Sequence, residues 1–255
     1  MSFQHIRREV AEGVGSITLN RPPVNILNIE MMEEINRALR DFKEEKGLKV
    51  LVFRAEGKAF SAGVDVGEHL GDMVDKMIGT FHEMFRLMDE LQAPSVAVVN
   101  GSALGGGCEL ALYCDMVLAT EKSTFGQPEI MVGVFPPIAA LIFPRIMGRK
   151  KAMELMLSGR TIGAGEALEM GLINKVVGEG ALEKETKEFI GQFARQSAVV
   201  LRLTKKAAIE GLCDDVREGL RRIERIYLDE LMKTEDATEG LKAFMEKRKP
   251  VWKNR

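Results

Sequence analysis

The chain has 255 residues, 45% of them hydrophobic, with 36 basic against 38 acidic side chains. That is long enough for a sizeable core, and the net charge of −2 gives no expectation of nucleic acid or an anionic membrane as partner. No run of about 18 apolar residues offers a membrane span, and Cys108, Cys114 and Cys213 show no CxxC or Cys/His spacing. A reducing compartment without disulfides or zinc is expected, and with it a cytoplasmic enzyme or binding protein.

The N-terminal MSFQHIRREVAEG lacks the basic-then-apolar pattern of a signal peptide and reads as the start of a strand. Residues 14–20, VGSITLN, alternate as a half-buried strand that the turn RPPVN ends. From Asn28, a plausible N-cap, Ile29, Met32, Ile35, Leu39 and Phe42 recur at helical spacing. KVLVFR (49–54) reads as a strand ended by AEGKAFSAGVDVG, residues 71–92 as a helix and SVAVV (95–99) as a buried strand. A triple glycine follows, then a helical CELALYC and a strand-like DMVLA. Two short helices follow, through KAMELMLS and through IGAGEALEMG, the latter closed by Gly171. From Leu182 onward the pattern is helical. Strand–helix alternation followed by helices predicts an α/β fold with largely parallel strands. It also predicts a C-terminal helical segment, dividing the chain into a core of 1–195 and an appendage of 196–255.

Three features point to chemistry. In GSALGGGCELAL, Glu109 follows three glycines inside a window, 94–119, that holds only one other charged residue, Asp115. Buried carboxylates are costly unless paired, hydrogen-bonded or protonated, and amides at a helix N-terminus are free donors that can face a developing negative charge. Glu129 in FGQPEIMVGVFPP is likewise the only charged residue between Phe125 and Pro144. Two carboxyls in different environments suit general acid/base work. KAFSAGVDV (58–66) is a second small-residue turn whose amide can face the first, and two converging amides make an oxyanion hole. Each has a plainer reading: a packing hinge, a loop glutamate facing solvent, an ordinary strand-to-helix turn. No dinucleotide, P-loop or nucleophile-elbow motif is present. His5, His69 and His82 lack metal-ligand spacing, although His69 and His82 lie where they can approach a substrate. The basic EKRKPVWKNR reads as a solvated tail or a phosphate contact.

FSAGVDV, VNGSALGGGCELALYCDMVLA, FGQPEI and AFMEKRK, in this order, resemble the crotonase (enoyl-CoA hydratase/isomerase) superfamily. The resemblance runs from about residue 14 to the C-terminus. It implies a ClpP-like spiral of ββα units, C-terminal helices that trimerise (two trimers commonly stacking into a hexamer), acyl-CoA thioester substrates, and no metal or separate cofactor. It further implies oxyanion-hole amides at Ala62 and Gly106 and catalytic carboxyls at Glu109 and Glu129. The stretch Ala62, Gly63, Val64 and Asp65 would line the coenzyme A nucleotide, with Phe244 and Lys247 contacting CoA, often from a neighbouring subunit. Both glutamates together favour hydratase chemistry, with enoyl-CoA isomerase as the alternative. An RNA-binding branch of the superfamily uses a lysine-rich helix, and IEMMEEINRALRDFKEEK mixes acids with bases instead.

One segment departs from the common hydratase pattern. Where a glycine-rich stretch is usual, this chain has GVFPPIAALIFPRI, so Phe135, Pro137 and Ile138 are expected to reshape the acyl pocket. The PPIA variant, with GVDVGEH and FHEMFRLM, resembles the branch that hydrates cyclohexa-1,5-diene-1-carbonyl-CoA in anaerobic aromatic degradation. A general short- or medium-chain enoyl-CoA hydratase stays open beside it.

Overall fold

A computed structural model describes residues 3–212 and 216–255; Cys213 lies outside them. The N-terminal strands β1 (Ile6–Ala11) and β2 (Val14–Leu19) form a hairpin and lead into helix α1 (Ile29–Lys43). Asn28 caps α1 as expected, its Oδ1 accepting from the Met31 N–H at 3.2 Å. Strands β3 (Val50–Ala55) and β4 (Ala59–Ser61) precede α2 (Met73–Leu91); β5 (Ser95–Val99) and β6 (Ser102–Leu104) precede α3 (Gly106–Tyr113); β7 (Met116–Thr120) and β8 (Thr124–Gly126) precede α4 (Pro137–Ile146).

This threefold recurrence builds two sheets. The first strand of each unit joins a six-stranded sheet ordered β1-β2-β3-β5-β7-β10, where β10 is Lys175–Val177. The second strand joins a four-stranded sheet ordered β4-β6-β8-β9, where β9 is Thr161–Gly163. Each unit thus steps from one sheet to the other and back, which generates a spiral. Pairing is parallel except for β1–β2 and β8–β9.

The large sheet is covered on both faces, which is why its central strands read as unbroken apolar runs. Leu51, Phe53, Ala97, Val99, Val117 and Ala119 point into the main core with α1, α2 and α3. Their alternates Val50, Val52, Val96, Val98 and Leu118 pack on Leu182, Phe189 and Ile190 of α7 (Leu182–Ala194). The short helices α5 (Arg149–Ser158) and α6 (Ala164–Glu169) fall where the sequence predicts them.

The C-terminal helices α8 (Ala198–Glu210), α9 (Val216–Arg225) and α10 (Glu235–Met245) end in a docked segment, not a solvated tail. Asp236, 1% exposed, accepts from Ser197 Oγ (2.5 Å) and from the Lys253 and Asn254 N–H groups (2.7 and 2.8 Å). Trp252 Nε1 donates to Arg195 O, and Asn254 Oδ1 accepts from the Ala198 N–H. Asp236→Ala leaves these donors unpaired, so a loss of about 3 kcal/mol is expected. A lowered urea midpoint with unchanged slope checks it.

Candidate active site

The site grows from the turn between β6 and α3. Gly105 adopts φ 50°, ψ −131°, a conformation open only to glycine. The three glycines admit three different neighbours. A Cβ on Gly105 would lie 2.6 Å from Glu129 Oε1, one on Gly106 2.6 Å from Val64 Cγ2, and one on Gly107 2.4 Å from Ser61 Cβ. Removing the side chains therefore lets the second carboxylate and the 61–64 arm close on the N-terminus of α3.

Glu109, in the first turn of α3, is 1% exposed. Its Oε1 accepts from the Ile138 and Ala139 N–H groups, both at 2.7 Å, the free donors at the start of α4. Both lone pairs of Oε1 are engaged, which leaves Oε2 as the oxygen able to take a proton. Burial raises the Glu109 pKa to about 8, the negative charge of Glu129 adding to the rise and the two amides opposing it.

Glu129 sits in the short 3₁₀ turn Pro128–Val132, and burial pushes its pKa up to about 7 against the pull of its own N–H. With its amide nitrogen turned toward the carboxylate, the fully buried Gln127 donates to both Glu129 oxygens, at 3.1 and 3.2 Å. Between these two pKa values the pair holds one proton; Glu109 has the higher value, and because the two lie only about one pH unit apart, shifting that proton to Glu129, which leaves Glu109 as the base, costs only about 1.4 kcal/mol. A water set between the carboxyls would find one base and one acid. Cys108 offers no rival nucleophile, because burial drives its thiol pKa well above the usual range.

The expectation that Ala62 supplies an oxyanion amide does not hold. Its N–H donates to Val24 O at 2.8 Å, and that of Gly63 points to Ser61 Oγ at 3.2 Å. Residues 62–65 instead run beside 24–27: Leu27 donates to Gly63 O (2.9 Å) and Asp65 to Leu27 O (3.0 Å). Gly63, at φ +107°, supplies the reversal that lets Ala62 and Asp65 both face this neighbour. Consecutive N–H groups of extended backbone point to opposite sides, so the Val64 N–H turns away from Leu27. Among the described residues it has no acceptor, and neither does the Gly106 N–H at the start of α3. A Cβ on Gly63 would lie 3.8 Å from Gly106 N, so the two stretches touch. Val64 and Gly106 therefore carry the converging free amides. The sequence holds the AGV run but not the pairing that decides which N–H is spent.

The remaining expected residues divide. Ile138 is buried in the main core and gives its N–H to Glu109, while Pro137 opens α4 half-buried and Phe135 stands 70% exposed. Phe244 on α10 is 85% exposed, and Lys247 just beyond has φ 52°; α10 packs on α8 and the Leu231–Lys233 turn. Asp65 caps the turn Val66–His69 through the Gly67 N–H, and His69 Nδ1 bonds Asp65 O at 2.9 Å. Burial, and after it the charge of the nearby Arg86, lowers the His82 pKa.

A spiral of ββα units with a buried carboxyl behind a glycine turn defines a crotonase-fold protein. Residues 9–255 match the family described as enoyl-CoA hydratase/isomerase. A probable enoyl-CoA hydratase of Rhizobium meliloti (strain 1021) is 39% identical over the whole of both chains. The cyclohexa-1,5-dienecarbonyl-CoA hydratase of Thauera aromatica is 37% identical, over 94% of this chain and 92% of that one. The crystal structure of an enoyl-CoA hydratase from Bacillus anthracis superposes with a TM-score of 0.92 at 33% identity, covering 99% of this chain and 100% of the other. The chain belongs to the enoyl-CoA hydratase/isomerase family.

Proposed function

We propose that this protein adds water across the conjugated double bond of an acyl-CoA thioester. The observation that carries the reading is Glu109: buried, one oxygen held by two amides, the other free, and coupled to Glu129 beside two unspent N–H groups. The thioester oxygen accepts from Val64 and Gly106. Glu109 Oε2 takes a proton from water as the new C–O bond forms, and the π electrons move onto the thioester oxygen as an enolate. Glu129 then delivers its proton to the carbon that closes the enolate. Each well-placed donor is worth about 3–4 kcal/mol in such steps, so the sequence needs no group besides substrate and water.

The finer assignment is a cyclic dienoyl thioester. The PPIA sequence at 136–139 supports it, as does the 37% identity to the Thauera aromatica enzyme. A linear enoyl-CoA is the alternative, supported by the probable enoyl-CoA hydratase at 39%. A side-by-side assay on crotonyl-CoA and cyclohexa-1,5-diene-1-carbonyl-CoA separates them, and faster turnover of crotonyl-CoA overturns the cyclic assignment. No hydration of any enoyl-CoA overturns the hydratase reading itself.

Assembly as a trimer, or two stacked trimers, belongs to the same proposal. Phe244 on α10 and Lys247 just beyond it would reach the coenzyme A bound by a neighbouring subunit, while Ala62 to Asp65 line the nucleotide of the coenzyme A bound by their own subunit.

The pair needs one proton, so kcat/KM should follow a bell in pH. The acidic limb falls below the pKa of about 7 as both carboxyls protonate, and the alkaline limb falls above about 8 as both ionise. A profile flat from pH 6 to 9 would show that the carboxyls do not carry the reaction.

A further inference from the structure

The loop Arg21–Leu27 contributes no side chain to the chemistry above, yet it holds one of the most completely bonded side chains of the molecule. Asn25 is 0% exposed and sits at φ 50°, a left-handed conformation that asparagine tolerates. Its Oδ1 accepts from the Arg21 N–H at 2.8 Å. Its Nδ2 donates to Glu56 O at 2.7 Å and Ala59 O at 2.9 Å, clamping both ends of the turn between β3 and β4. Its own carbonyl accepts from Ser61 Oγ at 2.7 Å, and the same hydroxyl accepts from the Gly63 N–H at 3.2 Å. Ser61 is also fully buried, its Cβ beneath Gly107.

These contacts form one chain of bonds running from the loop to the arm that bears the free amide. Asn25 fixes the height of β4 against the loop, and Ser61 ties the Asn25 carbonyl to Gly63. The backbone bonds Ala62 to Val24 and Asp65 to Leu27 complete the register. The direction of the Val64 N–H follows from that register, because the amide has no acceptor among the described residues to hold it. An oxyanion donor acts only when it is aimed beforehand, since a donor free to swing must be reorganised during the reaction.

We infer that Asn25 and Ser61 are positioning residues for the oxyanion hole: they aim the Val64 amide at the thioester oxygen without touching substrate. The inference rests on the proposed thioester chemistry but not on hydration as such. It is testable by binding alone, because a thioester carbonyl polarised by two aimed amides red-shifts a conjugated chromophore.

The experiment uses 4-dimethylaminocinnamoyl-CoA with the full-length protein and the variants Ser61→Ala and Asn25→Gly. Glycine keeps the left-handed backbone open while deleting the amide, and alanine deletes only a hydroxyl while keeping the Cβ under Gly107. Misaiming a donor costs less than deleting one, so kcat on the preferred enoyl-CoA should fall about 10-fold in each variant, with KM little changed. The red shift of the bound probe should shrink in the same variants and stay intact in Glu109→Gln. If Asn25→Gly does not fold, Ser61→Ala decides by itself. A full red shift in Ser61→Ala overturns the inference whatever happens to turnover, as does a wild-type protein that binds the probe without any shift. A wild-type shift that Ser61→Ala abolishes, in a protein that hydrates no enoyl-CoA, upholds the positioning role while removing the hydratase reading.

Discussion

Glu109→Gln should lower kcat on an enoyl-CoA by about 10³-fold, within the range of 10²–10⁴ that a positioned acid or base contributes, and leave KM nearly unchanged. The glutamine carbonyl can still accept the Ile138 and Ala139 N–H groups, so α3 and α4 keep their relation and only basicity is lost. Glu129→Gln should fall by a similar factor through loss of the proton donor. The double variant should be little worse than either single one, because neither carboxyl works without the other. A stability measurement separates catalysis from structure. The folded-state pKa of Glu109 is raised from 4.5 to about 8, so the folded protein binds this proton more tightly than the unfolded chain does. The associated stabilisation is fully present below the unfolded value and is lost as pH rises through the folded one. At pH 9 the native state therefore carries a buried charge, and Glu109→Gln should be more stable than wild type there. Each tenfold change in proton affinity is worth about 1.4 kcal/mol, so the gain is a few kcal/mol, shrinking toward zero near pH 4. An inactive Glu109→Gln that is also less stable at pH 9 would show the carboxylate to be structural.

The parts of this molecule legible in its sequence are those whose signal is local. β3, β5 and β7 announce themselves because strands covered on both faces must be apolar at every position, as Val50–Phe53 and Val96–Val99 are. Glu109 and Glu129 stand out because a charge in an apolar stretch violates the burial rule unless something compensates. What compensates Glu109 is not legible: the Ile138 and Ala139 amides lie 29 and 30 residues away and carry no side-chain signature. The four strands of the small sheet also escape detection, since three residues are too few to show a period of two and they exist only through pairing with one another. The same non-locality misplaces the oxyanion amide. Whether Ala62 or Val64 has a free N–H depends on the bond from Ala62 to Val24 and on the backbone reversal at Gly63. In the sequence Asn25 reads as turn punctuation after two prolines, and its burial follows from the fold alone. The tail's lysine and arginine side chains are exposed as they read, while its docking is not legible because it runs through the Lys253 and Asn254 N–H groups, which carry no side-chain signature, to Asp236 on α10.

Deleting the Gly106 N–H should be the second largest effect. Proline is suited to the first position of a helix, where its fixed φ is already helical and its missing donor breaks no helical bond. Gly106 occupies that position in α3, so Gly106→Pro removes the amide and leaves the helix able to form. The substitution also adds a Cβ 2.6 Å from Val64 Cγ2 and 3.1 Å from Phe81, which perturbs the site by bulk alone. Gly106→Ala adds the same Cβ and keeps the N–H, so the ratio of the two variants isolates the donor. Removal of one oxyanion donor costs about 10²–10³ in kcat, and Gly106→Pro should fall below Gly106→Ala by that factor. The probe thioester should bind Gly106→Ala with a red shift and Gly106→Pro with little or none. Equal rates in the two variants would mean that bulk, and not hydrogen bonding, is what this glycine governs, and the enolate would need another donor beside Val64.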